Sequence, residues 1–262
     1  MPLSTNSRCL GLVAAMPQEV AALRARIPAL KKERAGRLNL YRGEFAGAAI
    51  VLVESGMGPA HAGEATGELI RLASPAAILN YGFGGGVVPG LKVGDLVLAE
   101  RVMTIGKGGA IEAPSPAPRL TQVVAGAPSP QGMPFKAGTF LTAAAIMNKQ
   151  DVGALYCAGL GNPVLEMETA AVLGTAARSG VPVVAIRGIS DAAEEELGFS
   201  IEEFCDADLN LRIPRVLACV VKRPWIIPQL LRLSANTNRA GKLLAEGVER
   251  ALRVLAEELS RN

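Results

Sequence analysis

The chain has 262 residues, half of them apolar, a formal charge of +3, four cysteines and one histidine. So mild a charge and so few aromatics argue against a nucleic-acid surface built on phosphate contacts and base stacking. Cysteines as far apart as Cys9, Cys157, Cys205 and Cys219, with no CxxC and only His61 beside them, exclude a clustered zinc site and fit reduced thiols in a cytoplasmic protein.

In chain order, residues 9–15 predict a buried strand and 17–27 a helix opened by Pro17. The apolar start lacks the strongly basic flank of a signal peptide, and no uninterrupted run is long enough to span a bilayer. Residues 38–45 and 47–54 predict a strand pair, with a turn at Gly43 to Gly47. The stretch ESGMGPAHAGEATGELIRL predicts a Gly-rich loop feeding a helix, and AAILNYG a strand followed by the loop GFGGGVVPG. GDLVLAERV predicts a further strand, residues 106–134 a loop, and KAGTFLTAA another strand. A helix at about 143–151, a short strand near 154–157 and a helix at about 166–179 come next. VPVVAIRGISD is the most strand-like stretch of all.

The tail reads as two helices, RPWIIPQLLRLSA and AGKLLAEGVERALRVLAEEL. Leu244, Val248, Leu252, Leu255 and Leu259 recur at helical spacing, as core packing requires. Lys222, Arg223, Arg232, Arg239 and Lys242 form either a solvated helix face or a contact for an acidic partner or membrane surface. Strands alternating with helices predict one α/β domain over 1–262: a mixed, mainly parallel twisted sheet with helices on both faces and a helical extension from about residue 206. Ligands in such sheets gather at the carboxyl ends of strands.

Four acids stand next to core-like sequence. Asp191 follows a continuous apolar strand, where loss of water raises a carboxyl toward neutrality and lets it donate a proton. A helix N-cap is the competing reading. Glu166 and Glu168, taken as the start of a helix, diverge and so form no carboxylate pair. Either one of them accepts hydrogen bonds from a sugar diol, or both are helix-start charges. Glu19 is either a first-turn charge or a site acid. SGMG and GFGGG offer backbone N–H groups to an anion or hydroxyl, and neither is a P-loop or a dinucleotide fingerprint.

The order of the pieces is more telling: AMxxEV, SGMG, NxGxxGG followed by KVGD, EMET and RGISD. Over about residues 9–204 this resembles the nucleoside phosphorylase and nucleosidase superfamily, nearest the 5'-methylthioadenosine/S-adenosylhomocysteine nucleosidase branch. The resemblance implies a three-layer phosphorylase-like fold, a purine nucleoside substrate, a homodimer, and no metal or organic cofactor. It implies that Glu19 positions and deprotonates the attacking water and that Asp191, held by Ser190, protonates purine N7. Met167 and Glu168 would hold ribose, with Met57 at the ribose or 5' side. Phe83 and Gly84 belong to the glycine run beside the sugar, Ile146 takes the place of a base-pocket aromatic, and Phe199 lines the 5' pocket.

Phosphorylases of this superfamily carry an arginine where this chain has Asn80, and none stands in the early loop at Gln18, so water is favoured as nucleophile. Some features depart from the nucleosidase pattern. NYGFGGG replaces NTGSAGG, so that Phe83 stands in place of a serine, and the ending is longer, with RPWIIPQLL in it. These features are similar to hopanoid-associated nucleosidases, which act on lipid-linked adenosine, and futalosine hydrolase is a third neighbour. A phosphate-dependent phosphorylase and a non-catalytic nucleoside-binding protein are the competing classes.

Overall fold

A computed structural model describes residues 9–129, 132–194, 216, 218, 219 and 222–261. The elements are β1 (Cys9–Ala14), α1 (Pro17–Arg26), β2 (Lys31–Ala35), β3 (Leu38–Phe45), β4 (Ala48–Glu54), α2 (Pro59–Ala73), β5 (Ala77–Gly86) and β6 (Leu96–Gly106). There follow β7 (Gly109–Glu112), α3 (Pro118–Ala125), β8 (Phe135–Ala143), α4 (Lys149–Tyr156), β9 (Val164–Glu166), α5 (Thr169–Arg178) and β10 (Val183–Asp191). A 3₁₀ turn at Pro224–Ile226 leads into α6 (Ile227–Ser260).

The strands at the centre are apolar without alternation because both of their faces are covered. Leu10, Leu12 and Ala14 of β1 pack with Leu79 of β5 and Val184 and Ile186 of β10 under α1, α3 and α6. Val13, Ile78, Val183 and Ala185, one position out of step, pack under α2 and α5. The result is helix, sheet, helix: three layers, as expected.

β1 runs parallel between β4 and β5, and β10 runs parallel to β5 on the other side. Beyond β10 the sheet curls. β6 pairs antiparallel with β10, β8 runs parallel to β6, β9 runs parallel to β8, and β9 returns antiparallel to β5. Strands β5, β10, β6, β8 and β9 therefore close a ring, from which β1, β4, β3 and β2 extend as an open wing. The sheet is mixed: five of the ten strand pairings among the described residues are parallel.

Several expected boundaries move, each for a physical reason. β2 and β7 fall in segments read as connections, since KKERA is almost wholly exposed and GAIE wholly so, and neither carries an apolar face. α4 begins at Lys149, after the N-cap Asn148, whose side chain accepts from the N–H groups of Gln150 and Asp151. Residues 154–156 thus end a helix, and the short strand comes later, at Val164–Glu166. β5 continues through its glycines because they are places of close approach. A Cβ on Gly84 would stand 2.4 Å from Val164 Cγ1, and one on Gly82 2.7 Å from Glu19 Oε1. The two expected tail helices are one helix of 34 residues. Gly241 sits inside it without breaking it and admits the Phe83 ring, 3.4 Å from where a Cβ would be. The second half of α6 is core, with Leu244, Val248, Leu252 and Leu255 buried as their spacing required. Among the described residues no helix is long and apolar enough to cross a membrane.

Candidate active site

The parallel strands β1, β4, β5 and β10 end on one rim, and the acids singled out in the sequence lie there. β1 ends at Ala14, the chain turns, Pro17 starts α1, and Glu19 takes the third helical position. Its side chain is buried. Oε2 accepts from the N–H groups of Ala15 (2.9 Å) and Met16 (2.8 Å), and Oε1 accepts from Phe83 N–H across the rim (2.8 Å). Reaching back to the Met16 N–H caps the helix start. The bond to Phe83 ties that cap to β5, so a first-turn helix acid also stands on the candidate rim. Burial pushes its carboxyl above the usual range, and the N–H groups of Met16 and Phe83, Arg187 and the Ala15 N–H oppose this only in part.

Arg187, in the apolar middle of β10, is fully buried and is the hub of the site. Its Nη2 donates to Glu166 Oε2 (2.5 Å) and to Thr169 Oγ1 (3.0 Å) and lies 3.5 Å from Glu168 Oε2. Glu166 also accepts from the Thr142 hydroxyl, from the N–H groups of Glu168 and Thr169, and from the Thr169 hydroxyl. Burial alone would raise its carboxyl. Arg187 and the hydroxyls of Thr142 and Thr169 more than offset that and hold it below the ordinary value. Glu168 is placed differently. Its Oε1 accepts from Gly58 N–H (3.0 Å), in the SGMG loop that opens α2. Burial, then the neighbouring Glu166 carboxylate, push it up to about 7, against the weaker pull of Arg187 and the Gly58 N–H.

The expected divergence of Glu166 and Glu168 is therefore corrected. The helix starts only at Thr169; Glu166 ends β9 and Glu168 is the N-cap. Both carboxylates turn toward Arg187. Glu166 is saturated by protein donors, and Glu168 is the one beside the loop.

Asp191 is the last residue of β10. Oδ1 accepts from the Ser190 hydroxyl (2.6 Å) and Oδ2 pairs with Lys149 Nζ. Its side chain is 24% exposed, in keeping with the partial loss of water expected for it, and it also faces an ammonium that the sequence reading did not foresee. The strand's apolar cover ends at Ile189, and its last two residues stand on the rim.

Of the other expected substrate contacts, Met57 and Met167 are half-buried beside Gly58 and Glu168. Gly84 lies under the site and its carbonyl accepts from Ser190 Oγ (3.4 Å). Ile146 is half-buried in the connection from β8 to α4. Phe83 contributes its backbone, while its ring packs on α6 at Gly241. Phe199 lies outside the described residues. Among the described residues no three His, Cys, Asp or Glu side chains are set to hold a metal ion.

A sequence profile described as "Phosphorylase superfamily" matches residues 10–221, which takes in every rim element above. The chain belongs to the phosphorylase superfamily. A 5'-methylthioadenosine/S-adenosylhomocysteine nucleosidase of Haemophilus influenzae (strain 86-028NP) is 31% identical over 209 residues, covering 74% of this chain and 90% of that protein. The protein of the same name from Actinobacillus succinogenes (strain ATCC 55618 / DSM 22257 / CCUG 43843 / 130Z) is 32% identical over 209 residues, with 74% and 90% covered. Among solved structures, the Neisseria meningitidis nucleosidase in complex with methylthio-immucillin-A superimposes with a TM-score of 0.71 at 22% identity, over 94% of this chain and 99% of that one. Futalosine hydrolase of Helicobacter pylori strain 26695 gives 0.71 at 17% identity, over 94% and 97%. These two likenesses concern the fold.

Two site residues of this superfamily member escaped the sequence reading: Lys149, whose bonds span more than forty residues, and Glu166 as the partner of Arg187. A charge inside VVAIRGIS was the available signal for the second, because a buried arginine needs a buried acid.

The raised Glu168 carboxyl makes a pH prediction. Below pH 4.5, its ordinary value, it is neutral folded and unfolded. From there to about 7 the unfolded chain releases a proton that the folded chain keeps, so its contribution to stability falls as pH rises. Glu168→Gln removes this loss. The variant should gain on the order of 2 kcal/mol over wild type at pH 8 and almost nothing at pH 4. Denaturant unfolding at both pH values measures it, and an equal difference at the two would show that Glu168 titrates normally.

Proposed function

We propose that this chain is a nucleosidase that hydrolyses the N-glycosidic bond of a 5'-modified adenosine, of the methylthioadenosine/S-adenosylhomocysteine kind, and releases adenine. One observation carries the choice of water over phosphate: among the described residues the cations facing Glu19, Glu166, Glu168 and Asp191 are Arg187 and Lys149, and both are engaged by those acids. Such a rim favours the positive charge that grows on ribose as the bond breaks and repels a phosphate dianion. Asn80, at the place of the phosphorylase arginine, is spent on structure. Its amide donates to Val13 O (3.2 Å), and its carbonyl oxygen lies 3.0 Å from Thr169 Oγ1.

In this reading Asp191 gives its proton to purine N7 as the C1'–N9 bond breaks and the electron pair passes to the base. Glu19 takes a proton from the water that adds at C1'. Each such group is worth about 10²–10⁴-fold. Glu168, with Met167, holds the ribose hydroxyls, and Met57 lies at the 5' side. The names of the relatives, both 5'-methylthioadenosine/S-adenosylhomocysteine nucleosidases, support the activity. Chromatography of adenine released from methylthioadenosine, S-adenosylhomocysteine and a 5'-alkyl analogue, with and without phosphate, tests it. Release is expected at the same rate in both conditions; strict dependence on phosphate would make the chain a phosphorylase, and no release from any would end the reading.

The chain is read as one domain in a cytoplasmic homodimer. Burial of α6 in the main core supports the first. Exposed Trp225, Ile227 and Leu231, close to exposed Lys222 and Arg232, support contact of this end of α6 with a membrane surface. Sedimentation of the chain alone and with anionic vesicles separates the dimer from the membrane contact.

A further inference from the structure

Lys149 is out of place by local rules. It is the first residue of α4, where the helix dipole disfavours a cation. A local preference overridden in this way points to a demand from elsewhere in the fold. Its side chain crosses the glycine run, and a Cβ on Gly85 would stand 2.9 Å from Lys149 Cε and 3.0 Å from Asp191 Oδ2. Gly85 thus makes room for both. Nζ reaches Asp191 Oδ2, Asp191 O (3.2 Å) and Ala192 O (2.9 Å), three acceptors for the three N–H groups of an ammonium. The Ser190 hydroxyl holds the other carboxyl oxygen.

We propose that Lys149 is a positioning residue that fixes Asp191 for proton transfer to the leaving base. The proposal rests on the nucleosidase reading above. On nucleoside binding the partly exposed Asp191 takes up a proton from solvent; as the C1'–N9 bond breaks, its electron pair moves to the base and that proton moves from Asp191 to N7. What remains is a carboxylate already facing an ammonium on one oxygen and a hydroxyl on the other. Both partners stand in place before the reaction, so no reorganisation is needed as charge develops. The bonds to the carbonyls of Asp191 and Ala192 fix the backbone that carries the acid, so Lys149 orients the group and meets its charge.

The test separates this role from a merely structural one by changing the leaving group. Methylthioadenosine loses adenine, which needs a proton. The 5-methylthio riboside of 4-nitrophenol loses a phenolate, which does not. Lys149→Met should lower kcat on methylthioadenosine by about 10–100-fold and leave the nitrophenyl riboside within about 3-fold of wild type. Lys149→Arg, which keeps the charge, should recover most of the loss. Asp191→Asn serves as reference and should show the same selectivity more strongly. Equal losses on both substrates, or no loss on either, would overturn the proposal. So would a variant whose loss on methylthioadenosine Arg does not relieve. If Asp191→Asn shows the selectivity and Lys149→Met does not, only the role of Lys149 falls. If the wild type releases neither leaving group, the nucleosidase reading falls and takes this proposal with it.

Discussion

Asp191→Asn is expected to lower adenine release by about 10²–10⁴-fold while the protein stays folded. The chemistry loses its acid because an amide has no proton to give to N7. The fold keeps nearly everything else. Asn has the same shape, and its carbonyl oxygen can still accept from Ser190 Oγ, now 2.6 Å from Asp191 Oδ1. Lys149 loses one of three acceptors and keeps the carbonyls of Asp191 and Ala192. The lost ion pair is partly exposed, 19% on one side and 24% on the other, so its removal should cost only about 1 kcal/mol. The variant should therefore bind nucleoside almost as wild type does and fail afterwards, with kcat falling and KM little changed. Single-turnover adenine release and a melting curve on the same preparation check both halves. A near wild-type rate would mean that another group protonates the base.

Much of this rim was legible in the sequence, for a physical reason. Strands covered on both faces are long apolar runs, so the run before Asp191 announced β10 and where it ends. Pro17 and Glu19 together marked the start of α1. The GMGPA loop was placed correctly before α2, where Gly58 has φ 94° and Pro59 follows at the first helical position. What was not legible depends on contacts far apart in the chain. β9 has three residues, too few for any periodicity, so Glu166 and Glu168 were read as one helix when the helix begins after both. The glycines of β5 looked like a loop because nothing local shows that Val164, Glu19 and Lys149 press on them. The ring closed by β9 and β5 is likewise a pairing of residues 85 and 86 with 165 and 164, invisible to a window that moves along the chain. Phe83 was expected beside the sugar, and its ring is instead drawn to α6 because Gly241 leaves a gap there.

Arg187→Met should be the most damaging single change to stability, with a pH dependence that reveals why. Arg187 is one cation among Glu19, Glu166 and Glu168, all buried. Its removal leaves carboxylates without water or counter-charge, which typically costs about 3–5 kcal/mol. That is a large part of the 5–15 kcal/mol by which domains are usually stable. Glu166 is affected most. It is held below its ordinary value chiefly by Arg187, and without that charge the same burial that now opposes ionisation prevails. The folded variant then keeps protons that the unfolded chain releases, so its deficit grows as pH rises above the ordinary carboxyl value of 4.5. Unfolding by denaturant at pH 5 and pH 8 should show the larger loss at pH 8. Replacing Glu166 as well, in Arg187→Met/Glu166→Gln, removes the stranded charge together with its partner and should recover more than half of the loss. The coupling between the two positions in that double-mutant cycle measures the pair within the network. A loss that is the same at both pH values, or that Glu166→Gln does not relieve, would mean that Arg187 stabilises the site by packing against Phe140, 5.9 Å from its ring centroid, and not by charge.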